Sequence, residues 1–241
     1  MTDRDKLIYY ASIAENAFRY EEMIDFVREI VEIGTELCLE ERNFLSTAYQ
    51  NVIYKRRTSL YIFNDLLNKE TNIKTTNRLI ALSKFKNVIE SELKHYSHEI
   101  INLIDNILLP NSKESENIVF YYKMKGDYFR YLTEFLEGDE RLHSADHSLA
   151  SYNHGIKIAN RDLKLTNPIR LGLALNFSVF YHEILGDNPG ACNMARNAFI
   201  SALGEIDNLS EDQYKETMTV MELLKDNLTI WENEIEENKN N

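Results

Sequence analysis

Helix breakers are so rare in this chain that they act as punctuation: eight glycines and three prolines in 241 residues, where a soluble chain usually carries roughly 12% of the two together. A β-barrel or β-sandwich needs many tight turns and far more of both residues, so those folds are disfavoured. The prolines stand at telling places. Pro110 ends one periodic run, Asn167-Pro168 places a capping residue before a proline at the first helical position, and Asn188-Pro189 repeats that start signal after Gly186. Ser210 and Gln213 have the spacing of a capping box. Between these marks apolar residues recur at three and four, as in Leu173, Phe177, Phe180 and Ile184, or Met221, Leu224 and Leu228. The pattern predicts an all-α chain with helices over 3–17, 20–34, 39–69, 77–109, 116–137, 140–161, 168–185, 189–206 and 211–233. Short connections make neighbouring helices antiparallel.

With 44% hydrophobic residues the chain can bury a sizeable core, and no composition shift marks a linker. One domain over 1–233 is expected, followed by a flexible acidic tail over 234–241. A formal net charge of −12 argues against a general binder of nucleic acid, which needs a basic face that releases counterions. No run approaches the apolar length of a membrane span. Cys38 and Cys192 each lie in an apolar helical pattern and are expected to pack as small apolar residues. The N-terminal stretch has no apolar signal region, so a reducing location, cytoplasmic or nuclear, is expected, with no metal and no cofactor.

Several helices carry a second face that a simple bundle does not need. In the last one, Leu223, Ile230 and Trp231 lie roughly opposite the Met221 stripe, with Asn227 among them. Gly172, Asn176, Val179 and Glu183 share another face. Lys123, Asp127, Arg130 and Glu134 line one side of the 116–137 helix with Tyr131 at its edge, and Gln50, Tyr54, Arg57 and Tyr61 line up on the 39–69 helix. Two cationic faces and two mixed faces could close into a groove. The plainer alternative makes the charges solvated surface and the asparagines satisfied core amides. Glu92-x-x-His95 and Glu140-x-x-His143 have the spacing of di-metal carboxylate bundles, but such a site needs two further inward glutamates. His143 and His147 are too few ligands for a structural zinc. A helical-repeat scaffold binding unphosphorylated peptides has the same composition, yet no 34-residue signature recurs.

Four stretches carry a family resemblance: Arg42-Asn43-Phe44-Leu45-Ser46-Thr47-Ala48-Tyr49, Tyr121 to Tyr131 (YYKMKGDYFRY), Pro168 to Tyr181 (PIRLGLALNFSVFY) and Leu224 to Trp231 (LKDNLTIW). In these the chain resembles the 14-3-3 proteins over nearly its whole length. The resemblance implies a non-enzymatic, nine-helix subunit that forms a cup-shaped dimer, with a groove in each subunit for a phosphoserine- or phosphothreonine-containing segment of a client protein. Carried over by position, Arg57, Arg130 and the Tyr131 hydroxyl would hold the phosphate. Asn176 and Asn227 would bond the peptide backbone, Glu183 would steady that wall, Leu175, Val179, Leu223 and Trp231 would form its apolar side, and Lys123 would lie on the cationic side. Asp127 and Glu134 are expected to hold the guanidinium groups in place.

The chain departs from the family pattern at Gln50, where a lysine is usual, and at Tyr54 and Tyr61, where glycine and arginine are usual. A less basic, narrower pocket is expected. At the dimer face the resemblance assigns close packing to Ile13, Ala14 and Ala17 and an ion pair between Arg19 and Glu92 of the other subunit, in a homodimer or a heterodimer with paralogues. Val88 removes a second pair with Glu22, and Phe85 stands for a usual tyrosine. Arg56-Arg57-Thr58-Ser59 reads as a basophilic kinase site, whose phosphate would oppose dimerisation.

Overall fold

The computed structural model describes residues 2–73 and 76–240, and all regular structure among the described residues is helical. The helices are α1 (Asp3–Asn16), α2 (Tyr20–Glu32), α3 (Leu39–Ile73), α4 (Thr76–Leu103), α5 (Ser115–Thr133), α6 (Gly138–Asp162), α7 (Pro168–Glu183), α8 (Asn188–Leu203) and α9 (Glu211–Asn240). Among the described residues no helix is long and apolar enough to cross a membrane. The chain divides into two compact units, Met1–Asn111 and Ser112–Asn241.

In the first unit α1 packs on α2, α2 on α3 and α3 on α4. Thr2 and Asp5 form a reciprocal capping box at the start of α1. Met23, Ile24, Val27, Ile30 and Val31 bury one stripe of α2, and Leu45, Ala48, Tyr49, Val52 and Ile53 answer it from α3. Ion pairs then lock the helices together. Arg4 forks onto Glu41 through two contacts of 2.6 Å and also reaches Thr35, while the Cys38 N–H donates to Glu41 at 2.9 Å. Arg56 bridges Glu92 at 2.7 Å and Glu21 at 3.1 Å, and its guanidinium lies over the Tyr96 ring.

Two expectations change in this unit. Cys38 is exposed rather than packed, because it stands just before α3, where its backbone N–H donates to Glu41; Cys192 is buried as expected. The run before Pro110 does not simply stop: α4 passes into a π-helical turn, Ile104–Leu108, and a last turn, Leu109–Asn111. The wider turn is marked by Leu109 N–H donating to Ile104, and it lets the backbone run on past a residue that has no N–H to give.

In the second unit α5 packs on α6 and α7, α7 on α8 and α9, and α8 on α9. One apolar cluster gathers Val119, Tyr152, Ala159, Leu173, Phe177 and Phe180; a second gathers Leu171, Cys192, Ala195, Met221, Leu224, Leu228 and Trp231. Asn167 caps α7 by accepting from the Ile169 and Arg170 N–H groups, as its place before Pro168 predicts. For α8 the cap is Asp187 instead of Asn188, its Oδ1 accepting from Gly190 N–H at 2.9 Å. Ser210 and Gln213 form the expected reciprocal box. Where the sequence suggests a tail from residue 234, α9 stays helical to Asn240: Glu234 meets His182 at 2.8 Å, and Ile235 packs on the second cluster. Asn241 lies outside the described residues.

Candidate functional site

In the second unit the polar residues of α5 and α7 converge on one carboxylate. Asp127, 3% exposed, accepts from Tyr152 Oη at 2.6 Å and Asn176 Nδ2 at 2.8 Å through Oδ1, and pairs with Lys123 Nζ at 2.8 Å through Oδ2. The carboxylate can sit so deep because all these partners are donors. Burial and Asp127 together push the Tyr152 hydroxyl well above its ordinary range, so it remains a fixed donor. Gly126 makes this possible: a Cβ there would stand 2.6 Å from Tyr152 Cε1. Helix α5 thus gives up one side chain to bring the Tyr152 ring against its backbone.

One turn on, Arg130 is 7% exposed, with its Nη1 3.1 Å from Glu183 Oε2 and its guanidinium 4.9 Å from the Tyr131 ring centre. Burial works against the charge, but Tyr152, Tyr131 and Asp127 outweigh it and hold the pKa above the ordinary arginine value. Its Nε has no hydrogen-bond partner among the described residues. The sequence reading has Asp127 and Glu134 hold the guanidinium groups; Glu183 directly contacts Arg130, while Asp127 turns its oxygens to Lys123, Tyr152 and Asn176. The site offers a fixed guanidinium, an ammonium, an aromatic edge and an amide. That set suits an oxyanion with several acceptor oxygens.

Apolar residues flank this polar wall. Leu175 and Val179 are half-buried and pack on the cluster containing Trp231, while Leu223 is 49% exposed and Asn227 half-buried on α9. Trp231 is placed differently from the expectation of a groove-lining wall. At 5% exposure it belongs to the core and stacks on His182, with ring centres 5.0 Å apart. Periodicity puts Trp231 on the right helix, but an aromatic ring at the margin of a face can turn inward, and His182 gave no signal of the stack. Tyr152 likewise carries no local signature of its role. Its partner Asp127 is 25 residues away, and only Gly126 in mid-helix hinted at a close approach.

In the first unit, Gln50, Tyr54 and Tyr61 are exposed on α3, with Arg57 half-buried between them. At the position assigned to dimer contact, Ile13, Ala17, Arg19, Phe85 and Val88 are exposed, whereas Ala14 is buried within its own unit. Phe85 stacks on Phe63. Arg19 pairs with Glu22, and Glu92 with Arg56, so both groups assigned to the pair between subunits have partners within the chain. In the Glu92-x-x-His95 motif, Glu92 is likewise taken up by Arg56, and His95 lies 3.6 Å from Glu99.

A family model described as "14-3-3 protein" matches residues 10–232. The chain is 46% identical over 235 residues to the checkpoint signal transducer rad24 of Schizosaccharomyces pombe, covering 98% of this chain and 87% of the relative. It is 45% identical to 14-3-3-like protein C of Glycine max over 98% of this chain and 91% of the relative, and 44% identical to 14-3-3 protein epsilon of Drosophila melanogaster over 98% and 90%. Likeness at this level, running through the helices that carry Asp127, Arg130 and Asn176, shows that the chain belongs to the 14-3-3 family.

Proposed function

We propose that the protein is a dimeric adaptor that binds phosphoserine- or phosphothreonine-containing segments of client proteins and regulates their activity, location or assembly. As a member of its family it is a non-enzymatic adaptor. The observation that carries the phosphate reading is Arg130: a guanidinium tethered by Glu183 and bordered by Tyr131, on the same polar wall as Lys123 and Asn176. A phosphoserine brings about −1.5 to −2 charge and three acceptor oxygens, which a serine hydroxyl does not. Each charge-assisted hydrogen bond is worth about 1.5–3 kcal/mol, so two or three separate a useful ligand from a negligible one. Arg57 joins Arg130 in this role by family position. Lys123, Asn176 and Asn227 take the peptide backbone and flanking polar groups, with Glu183 tethering the wall, and Leu175, Val179 and Leu223 take apolar flanks. Trp231 supports that wall from beneath.

Titration with a phosphoserine peptide and its unphosphorylated twin tests this. The phosphorylated form binds, the twin binds roughly 100-fold more weakly or worse, and Arg130→Ala or Arg57→Ala abolishes the difference. Equal affinity for both peptides overturns the proposal and returns the scaffold for unphosphorylated peptides. With glutamine at position 50 the pocket lacks a cation, so Gln50→Lys tightens phosphopeptide binding; an unchanged or weaker titration refutes that role.

Dimerisation is supported by the exposed apolar side chains Tyr9, Ile13, Phe18, Phe85 and Val88 of the first unit. Two sites at a fixed separation raise the avidity for a doubly phosphorylated client by roughly 10²–10⁴. Sedimentation at micromolar concentration reads the state directly, and a monomer there removes the dimer from the proposal. A cytoplasmic or nuclear setting follows from the signalling role proposed. The named role of the fission-yeast relative as a checkpoint signal transducer fits it.

A further inference from the structure

Away from Asp127 and Arg130, the second unit holds a cleft of about 440 Å³ among α6, α7 and α8, which none of the proposed phosphopeptide residues lines. That volume is in the range of small-molecule sites. Leu171 and Ala174, at most 6% exposed, form its floor. Ile156 and Met194 on its wall pack on the Tyr152 cluster, whereas Leu171 and Ala198 belong with the Trp231 cluster. The cleft therefore marks a seam where two apolar clusters diverge.

One cation stands in this seam, whose lining also includes Asn160, Asn193, Asn197 and Ser201. Arg170 donates from Nη1 to the Leu163 carbonyl at 2.7 Å and the Ala159 carbonyl at 3.2 Å, and from Nη2 to Asn160 Oδ1 at 2.8 Å. All three acceptors are neutral, and Arg170 forms no ion pair among the described residues. Burial lowers its pKa below the ordinary arginine value, opposed only in part by Glu205. Those bonds leave Nε–H and one Nη2 N–H, the two donors that grip a carboxylate side-on. Capping the end of α6 explains why a cation sits here. It does not explain the open volume over Leu171 and Ala174 beside it.

We propose that this cleft is a second ligand site, for a small amphipathic carboxylic acid. The carboxylate takes the remaining edge of Arg170, and the hydrocarbon body lies over Leu171 and Ala174 against Ile156, Met194 and Ala198. The site is independent of phosphopeptide binding, so failure of one does not bear on the other.

Octanoate, octylammonium and octanol are the probes, followed by methyl NMR of the full chain at Ile156, Leu165 and Met194. Octanoate shifts these methyls saturably with a Kd of roughly 0.1–1 mM. Octanol binds roughly tenfold more weakly, and octylammonium does not saturate. Arg170→Gln weakens octanoate to the level of octanol. Ala198→Phe fills the cleft while leaving Arg170 in place and abolishes the shifts. Equal binding of octanoate and octylammonium by the unaltered protein, no saturable shift, or full binding by folded Ala198→Phe overturns the proposal. The comparison of probes on unaltered protein decides even if a variant fails to fold.

Discussion

Single side chains in this protein are held in place by opposite charge at short range, and two positions show what that costs. Glu41 is 2% exposed; burial pushes its carboxyl up, but Arg4 and the Cys38 N–H outweigh it and hold it below the ordinary value of 4.5. The stabilisation is complete above pH 4.5 and is lost as the pH falls through the lower folded value. Arg4→Ala leaves the buried carboxylate without its charged partner and destabilises the fold by about 1–3 kcal/mol at pH 7. Chemical denaturation at pH 7 and pH 4 checks both points, the gap between variant and parent narrowing at the lower pH. Tyr152→Phe removes one donor from Asp127 without opening a cavity. It lowers stability by about 1–2 kcal/mol and weakens phosphopeptide binding by loosening Lys123 and Asn176. Calorimetry and a peptide titration read the two effects separately. At this scale the sequence was partly legible: Asp127, Arg130 and Asn176 stand out by helical spacing, but the Arg130–Glu183 pair joins residues 53 apart and no local pattern announces it.

At the scale of helices, what the chain shows on its face is mostly where a helix begins. Asn167 and Ser210 cap the helices they precede because a side-chain acceptor beside proline, or three residues before glutamine, has a strong local geometry. Asp187 and Asn188 could both cap a helix with Pro189 near its start, and Asp187 Oδ1 reaching Gly190 N–H settles the choice. Ends are less readable. The run of α9 to Asn240 depends on Ile235 finding the cluster around Trp231 and Glu234 finding His182, contacts with no signature in a polar, acidic stretch. Helix α6 comes close to α5 at Gly126, and Gly126→Ala tests that contact. A methyl group within 3 Å of three Tyr152 ring atoms forces the helices apart, lowering stability by about 1–3 kcal/mol. The thermal midpoint reports the loss, and phosphopeptide affinity falls with it because Tyr152 can no longer hold Asp127.

For the whole molecule, the net charge of −12 and the cations of the proposed site fit together: an acidic body repels polyanions, and on the function proposed above it presents a basic site to one phosphate at a time. The scarcity of glycine and proline made the all-helical class legible at once, because turns are what those residues supply. Self-association was not legible to the same degree, since the charges assigned to it have alternative partners. Arg56 holds Glu92, and Glu22 holds Arg19. Forming an Arg19–Glu92 link between two copies would thus be a barter of ion pairs, with little net electrostatic gain. In the proposed dimer, cohesion between copies comes from the exposed apolar side chains of α1 and α4, and such a dimer is indifferent to, or tightened by, added sodium chloride. Sedimentation equilibrium from low to high salt reads this directly. A dimer that dissolves into monomers as salt rises would mean that charge, not oil, is the glue.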